Sequence, residues 1–165
     1  MTTGITGTGA FASDPAPGDD ALLDVADLEV AYGAARALFG VSLRVQRGSV
    51  TAVLGANGAG KSSLAGAIAG VVKPRAGTIT FDGADITGIA AHRACKQGIA
   101  YVPENRNIFP HLSVRDNLWA QLRFSVPRTE RKVALERALE MFPVLAERRN
   151  QHAGTLSGGE QQMLA

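Results

Sequence analysis

Residues 55–62 read Gly55-Ala56-Asn57-Gly58-Ala59-Gly60-Lys61-Ser62, the spacing G-x-x-x-x-G-K-S of a phosphate-binding loop. The chemistry explains the spacing. A phosphate chain is wrapped by backbone N–H groups, so the loop must present bare backbone in unusual conformations, which Gly55, Gly58 and Gly60 permit. Lys61 supplies a compact positive charge for the outer phosphates, and the Ser62 hydroxyl can enter a Mg²⁺ shell. A helix opening at Lys61 adds the positive end of its dipole.

Such a loop works only if a strand delivers it and a helix carries it away. Residues 49–54 form a short apolar run suited to a buried parallel strand. Residues 63–72 are apolar at helical spacing, and Pro74 ends that helix. Upstream, residues 22–32 alternate as a strand, residues 33–35 turn, and residues 37–45 return, so an antiparallel β region precedes the loop. Downstream, residues 78–81 read as a strand closed by the Asp82-Gly83 turn pair, and residues 90–97 as a helix closed by Gly98. Residues 99–102 are a second buried-strand candidate, stopped by Pro103. Ser113 caps a helix with Asp116 three residues on, and Val114, Leu118 and Leu122 share one face of it. Thr129 caps another, with Val133, Leu135, Leu139 and Phe142 partly facing inward.

A second candidate for anion chemistry closes the chain. In Leu156-Ser157-Gly158-Gly159-Glu160-Gln161, Ser157 and Glu160 form a capping box, and the two glycines leave first-turn N–H groups unshielded. Alone this is an ordinary helix start. A phosphate loop upstream gives it another meaning.

The chain has 165 residues, enough for one domain with a real core, and 45% apolar content is ordinary for a globular chain. A net charge of +2, from 17 basic and 15 acidic residues, is too balanced to suggest nucleic-acid binding. The single cysteine, Cys95, excludes an internal disulfide framework and fits a reducing cytosol. No apolar run approaches the roughly 18–20 residues of a membrane span, and the N-terminus lacks the pattern of a signal peptide. Any membrane role therefore comes through a partner. Residues 1–21, rich in Gly, Thr, Ala, Pro and Asp, read as a disordered extension, leaving 22–165 as the domain. The basic-rich stretch 123–149 reads as a solvated helical face.

Taken together, residues 22–165 resemble the nucleotide-binding subunit of ABC transporters. Residues 55–62 are similar to that family's Walker A loop, residues 156–161 to its LSGGEQ signature, and Tyr32 to the aromatic residue that stacks on adenine. Kinases and GTPases share the first motif and lack the second. The resemblance implies an α/β P-loop NTPase domain with an N-terminal antiparallel β region, a parallel core sheet and a helical subdomain. The segment Val102-Pro103-Glu104 running into Ile108-Phe109-Pro110, then Leu112-Ser113-Val114 with Asn117-Leu118, resembles one ATPase subunit of branched-chain amino-acid importers. Related importers carry urea or short amides. A soluble ABC protein without a transport role and a nucleotide-binding module without ATPase function are the other readings.

The resemblance implies a head-to-tail dimer with a second ABC ATPase subunit, ATP and Mg²⁺ as ligands, and a place at the cytoplasmic face of the membrane against permease subunits. A periplasmic or extracellular substrate-binding protein would take part indirectly. Lys61 and the loop amides, with Ser62 and Ser63, would hold the phosphates of one ATP, and Ser157, Gly158 and Gly159, with Glu160 and Gln161, would close on the other. Glu104 stands where most of the family has the glutamine of the Q-loop, and its carboxylate, like the Ser62 hydroxyl, is an implied Mg²⁺ ligand. Lys61 and Glu104 are the implied catalytic residues. The family's Walker B aspartate, catalytic glutamate and histidine loop follow the signature helix, so they are expected beyond Ala165, and the 165 residues alone are expected to hydrolyse ATP negligibly. His92, His111 and His152 all precede the signature and read as surface residues.

Overall fold

The structure is a computed structural model that describes residues 21–165; the extension expected at the N-terminus lies outside the described residues except for Ala21, which opens the first strand. The chain divides into two compact units, one running to Tyr101 and one over Val102–Ala165.

The first unit is built on a four-stranded antiparallel sheet in the order β2-β1-β3-β4. Its strands are β1 (Ala21–Tyr32), β2 (Ala35–Gln46), β3 (Ala76–Phe81) and β4 (Ala84–Asp85). β1 pairs along its length with β2, from Ala21 opposite Gln46 to Tyr32 opposite Ala35. A bulge interrupts β1 between Val25 and Leu28, where Asp27 takes φ 48° and its N–H bonds the Ser42 hydroxyl at 2.9 Å. The extra residue keeps Val25, Leu28 and Val30 on one face, which strict alternation would have split. That face packs on Leu38 and Val41 of β2, Ile79 of β3, Ile86, and Leu64 and Ala67 of the helix α1 (Lys61–Ile68). A short helix, α2 (Ala91–Lys96), follows β4 and closes at Gly98.

Three expectations change here. The helix after the phosphate loop ends at Ile68, well before Pro74, because Gly70 turns left-handed at φ 71° and Val71 and Val72 both donate to the Gly66 carbonyl. At Gly70 a Cβ would sit 2.3 Å from the Ile89 carbonyl oxygen, so only glycine fits that close approach. Residues 49–54 form no strand: Val50 is 99% and Leu54 70% exposed. Residues 99–102 likewise pair with nothing among the described residues. Every described ladder is antiparallel. A lone apolar run cannot make a parallel sheet, because each parallel strand needs a neighbour on its hydrogen-bonding edge.

The second unit is helical: α3 (Val114–Ser125), α4 (Arg131–Met141), α5 (Pro143–Glu147) and α6 (Gly158–Leu164), with one 3₁₀ turn over Ala153–Thr155. Ser113 caps α3 as expected, its hydroxyl accepting from the Asp116 N–H at 3.0 Å. α4 starts later than Thr129 implied, with Glu130 at its N-cap position. Leu135 and Leu139 are buried, but Val133 is 55% exposed because its spacing carries it off their stripe. The core gathers Val114, Leu135, Leu139, Leu145, Ala153, Leu156 and Leu164.

Candidate nucleotide-binding site

In the first unit, residues 55–60 run as an exposed loop into α1. Gly58 and Gly60 take φ 84° and 88°, whereas Gly55 is not in the left-handed region. Gly60 is required twice over: a Cβ there would lie 2.5 Å from Leu38 Cδ2 and 2.6 Å from the Ala37 carbonyl oxygen. β2 thus packs against the loop and fixes its exit. Gly60 is also the N-cap of α1, and no side chain caps that end. The first-turn N–H groups of α1 therefore remain available to an anion. Lys61 folds its ammonium back over the loop, donating to the carbonyls of Gly55 and Ala56, both at 2.8 Å. This glycine cradle, free helix end and inward ammonium fit a polyphosphate.

Tyr32 ends β1 and is 54% exposed. Its hydroxyl donates to Ser63 Oγ at 3.3 Å, which ties the aromatic ring to the helix that leaves the loop. Ser62 is exposed and Ser63 buried, so the two serines face differently.

In the second unit, the capping box at α6 is complete. The Ser157 hydroxyl accepts from the Glu160 N–H at 3.3 Å, and the Glu160 carboxylate accepts from the Ser157 N–H at 2.7 Å. Gly158 and Gly159 are exposed. The N–H and then the hydroxyl of Ser157, with Arg148 beside them, hold the Glu160 carboxyl below the usual glutamate range, against a smaller opposing effect of desolvation. Gln161 turns inward, its amide nitrogen donating to the carbonyls of Ala153 at 3.3 Å and Leu156 at 3.1 Å.

A phosphate-loop helix and a capped Ser-Gly-Gly turn thus occur in one chain, and residues 38–165 match the ABC transporter family. The chain belongs to that family. The high-affinity branched-chain amino acid transport ATP-binding protein BraG of Pseudomonas aeruginosa is 42% identical over 134 residues, covering 81% of this chain and 57% of the relative. The probable branched-chain amino acid transport ATP-binding protein LivF of Archaeoglobus fulgidus is 39% identical over 144 residues, 87% of this chain and 61% of the relative. A solved structure of the ATP binding subunit of an ABC transporter matches with a TM-score of 0.72 at 30% identity, over 87% of this chain and 59% of that one. The chain spans about three fifths of the length of these relatives.

Glu104 is exposed in a turn of loop 103–110, in the second unit. No cluster of three or more His, Cys, Asp or Glu side chains suited to a metal occurs among the described residues. Ser62 and Glu104 belong to different units and are each described within their own. His92, His111 and His152 are exposed, as is Cys95.

Two residues that position this region escaped sequence reasoning. Asn117 is 1% exposed on α3. Its amide nitrogen donates to the carbonyls of Phe109 at 3.0 Å and Ser113 at 2.9 Å, and its oxygen accepts from the Phe109 N–H at 2.7 Å. It thereby clamps the end of loop 103–110 to the helix cap. The available signal was a polar side chain three positions after Val114, on the apolar face. Arg106 is the other, and its sequence neighbours give no hint of its reach.

Proposed function

We propose that the chain is the ATP-binding part of an ABC importer subunit that takes up branched-chain amino acids. The observation that carries the reading is Lys61 folded over a glycine loop at the uncapped N-terminus of α1. The loop amides and the first turn of α1 bind the β- and γ-phosphates, and Lys61 leaves its two carbonyl partners to neutralise them. Tyr32 offers its exposed ring to the adenine. Mg²⁺, when bound, would supply charge neutralisation at the phosphates, and the Ser62 hydroxyl beside the loop would give it an oxygen; Glu104 is proposed as a metal-ligating carboxylate within its own unit. The Ser157–Gly159 turn acts in trans, presenting its amides to the γ-phosphate held by a second ABC ATPase subunit. Glu160 and Gln161 serve that turn by holding its shape, which their internal bonds favour.

A membrane-spanning permease is the proposed partner, a reading supported by the match to the ABC transporter family and by the transport names of BraG and LivF. Val102, Phe109 and Leu112, all exposed around the Q-loop, give the permease an apolar surface to press on. The cargo is proposed from the printed names of BraG and LivF. The peripheral, cytoplasmic-face placement follows from the same partnership.

Binding of a fluorescent ATP analogue, with and without Mg²⁺, tests the site. Lys61→Ala is expected to weaken it by about tenfold or more, the loss of a charge-assisted contact. Equal affinity in the variant would overturn the assignment. Co-purification of the chain with the permease subunits of a branched-chain amino-acid importer, and not with those of importers of other cargo, tests the cargo.

A further inference from the structure

Arg106 links two parts of the second unit that the family motifs treat separately. It sits in loop 103–110 with φ 58°, followed by Asn107 at φ 50°. Two consecutive non-glycine residues in the left-handed region are uncommon and persist only where surroundings impose them. Local backbone bonds hold the turn, Arg106 N–H to the Pro103 carbonyl at 3.0 Å and Asn107 N–H to that of Asn105 at 2.6 Å, and the Arg106 side chain is held at its far end. Arg106 Nη1 donates to Gln161 Oε1 at 2.8 Å, across 55 positions of sequence. Its Nη2 lies 3.2 Å from where a Cβ on Gly158 would stand, so the glycine leaves room for the guanidinium. Its Nε is buried without a hydrogen-bond partner, so the arginine tolerates an unpaired polar atom to reach this position. The neighbouring backbone runs the same way: Gly154 N–H donates to the Pro110 carbonyl and Ala153 N–H to that of Leu112, both at 2.9 Å.

We propose that Arg106 is a positioning residue that fastens the Q-loop to the first turn of α6, so that a displacement of the loop moves the Ser157–Gly159 turn with it. The guanidinium fork fits this task because it spans the gap, keeps its charge, and holds Gln161 by a directional bond while Gln161 holds the carbonyls of Ala153 and Leu156. The proposal rests on the ABC reading for its functional meaning. Its physical content is independent of nucleotide.

Hydrogen exchange on the nucleotide-free full chain tests it, read at the amides of Arg106, Phe109, Glu160 and Gln161. Arg106→Ala is expected to raise exchange about tenfold at both ends, in the loop and in α6. Gln161→Met breaks the link from the opposite side and is expected to release the loop amides as well. The double variant is expected to exchange no faster than the faster single one, as for two halves of one interaction. Faster exchange confined to the segment that carries the substitution, with additive effects in the double variant, overturns the proposal. If Arg106→Ala fails to fold, judged by the emission of Trp119, then Gln161→Met decides alone: loop amides as protected as in the parent chain overturn it. ATP-analogue binding by the parent chain is measured separately, so failure of the nucleotide reading and failure of the Arg106 link are told apart.

Discussion

Gly60 and Asn117 show how much a single position can determine. Gly60 combines φ 88° with backbone and side-chain atoms of β2 at under 3 Å from any Cβ. Gly60→Ala is expected to cost about 2 kcal/mol or more of stability and to weaken ATP-analogue binding with it, measured by urea unfolding and by titration of the same samples. Asn117→Ala would leave the Phe109 N–H unpaired in a part-buried setting. A loss of about 2–3 kcal/mol is expected, followed through Trp119, the only tryptophan, two residues further along the same helix. The glycine was legible from the motif, because the motif is a statement about backbone approach. The asparagine was not: its four bonds join α3 to a loop whose course the local sequence does not fix.

At the scale of elements, α6 is the instructive case. Seven residues make a marginal helix, so its capping box and the packing of Leu164 carry most of its stability. Ser157→Ala is expected to cost about 1 kcal/mol, visible as faster exchange of the Glu160 and Gln161 amides. The cap is also sensitive to acid. The folded state keeps the Glu160 carboxylate charged to lower pH than an unfolded chain does. Its contribution is therefore fully present above the ordinary glutamate value and is lost as pH falls through the lowered folded value. The stability difference between the parent chain and Glu160→Gln should stay constant near neutrality and shrink progressively in acid below the ordinary range. A difference that grows in acid would contradict the cap. The capping box was readable from four letters of sequence, because each of its two bonds closes within one helical turn.

Across the molecule, two separate cores follow from two kinds of pattern. The β core of the first unit is reached by alternating strands, and the helical core of the second by a 3.6-residue stripe. Leu28→Ala is expected to destabilise the first unit by about 3 kcal/mol and to raise exchange along β1–β3 while the α3–α5 amides keep their protection. The exposed run at Val50, Val53 and Leu54 has a different consequence. An unpaired apolar extended segment invites association between chains, so Val50→Lys with Leu54→Lys should lower the aggregated fraction in size-exclusion chromatography at a given concentration.

By itself the sequence determined what depends on near neighbours: the glycine loop, the hairpin of β1 and β2, the caps of α3 and α6, and with them the family. Tertiary structure decided what depends on distant partners. The bulge at Asp27 is set by Ser42 across the sheet, the early end of α1 by the close packing of Gly70 on Ile89, and the reach of Arg106 by a glutamine far along the chain. Residues 49–54 make the same point from the other side. Their letters spell a buried strand, but burial belongs to a strand only when a neighbour supplies the hydrogen bonds along its edge.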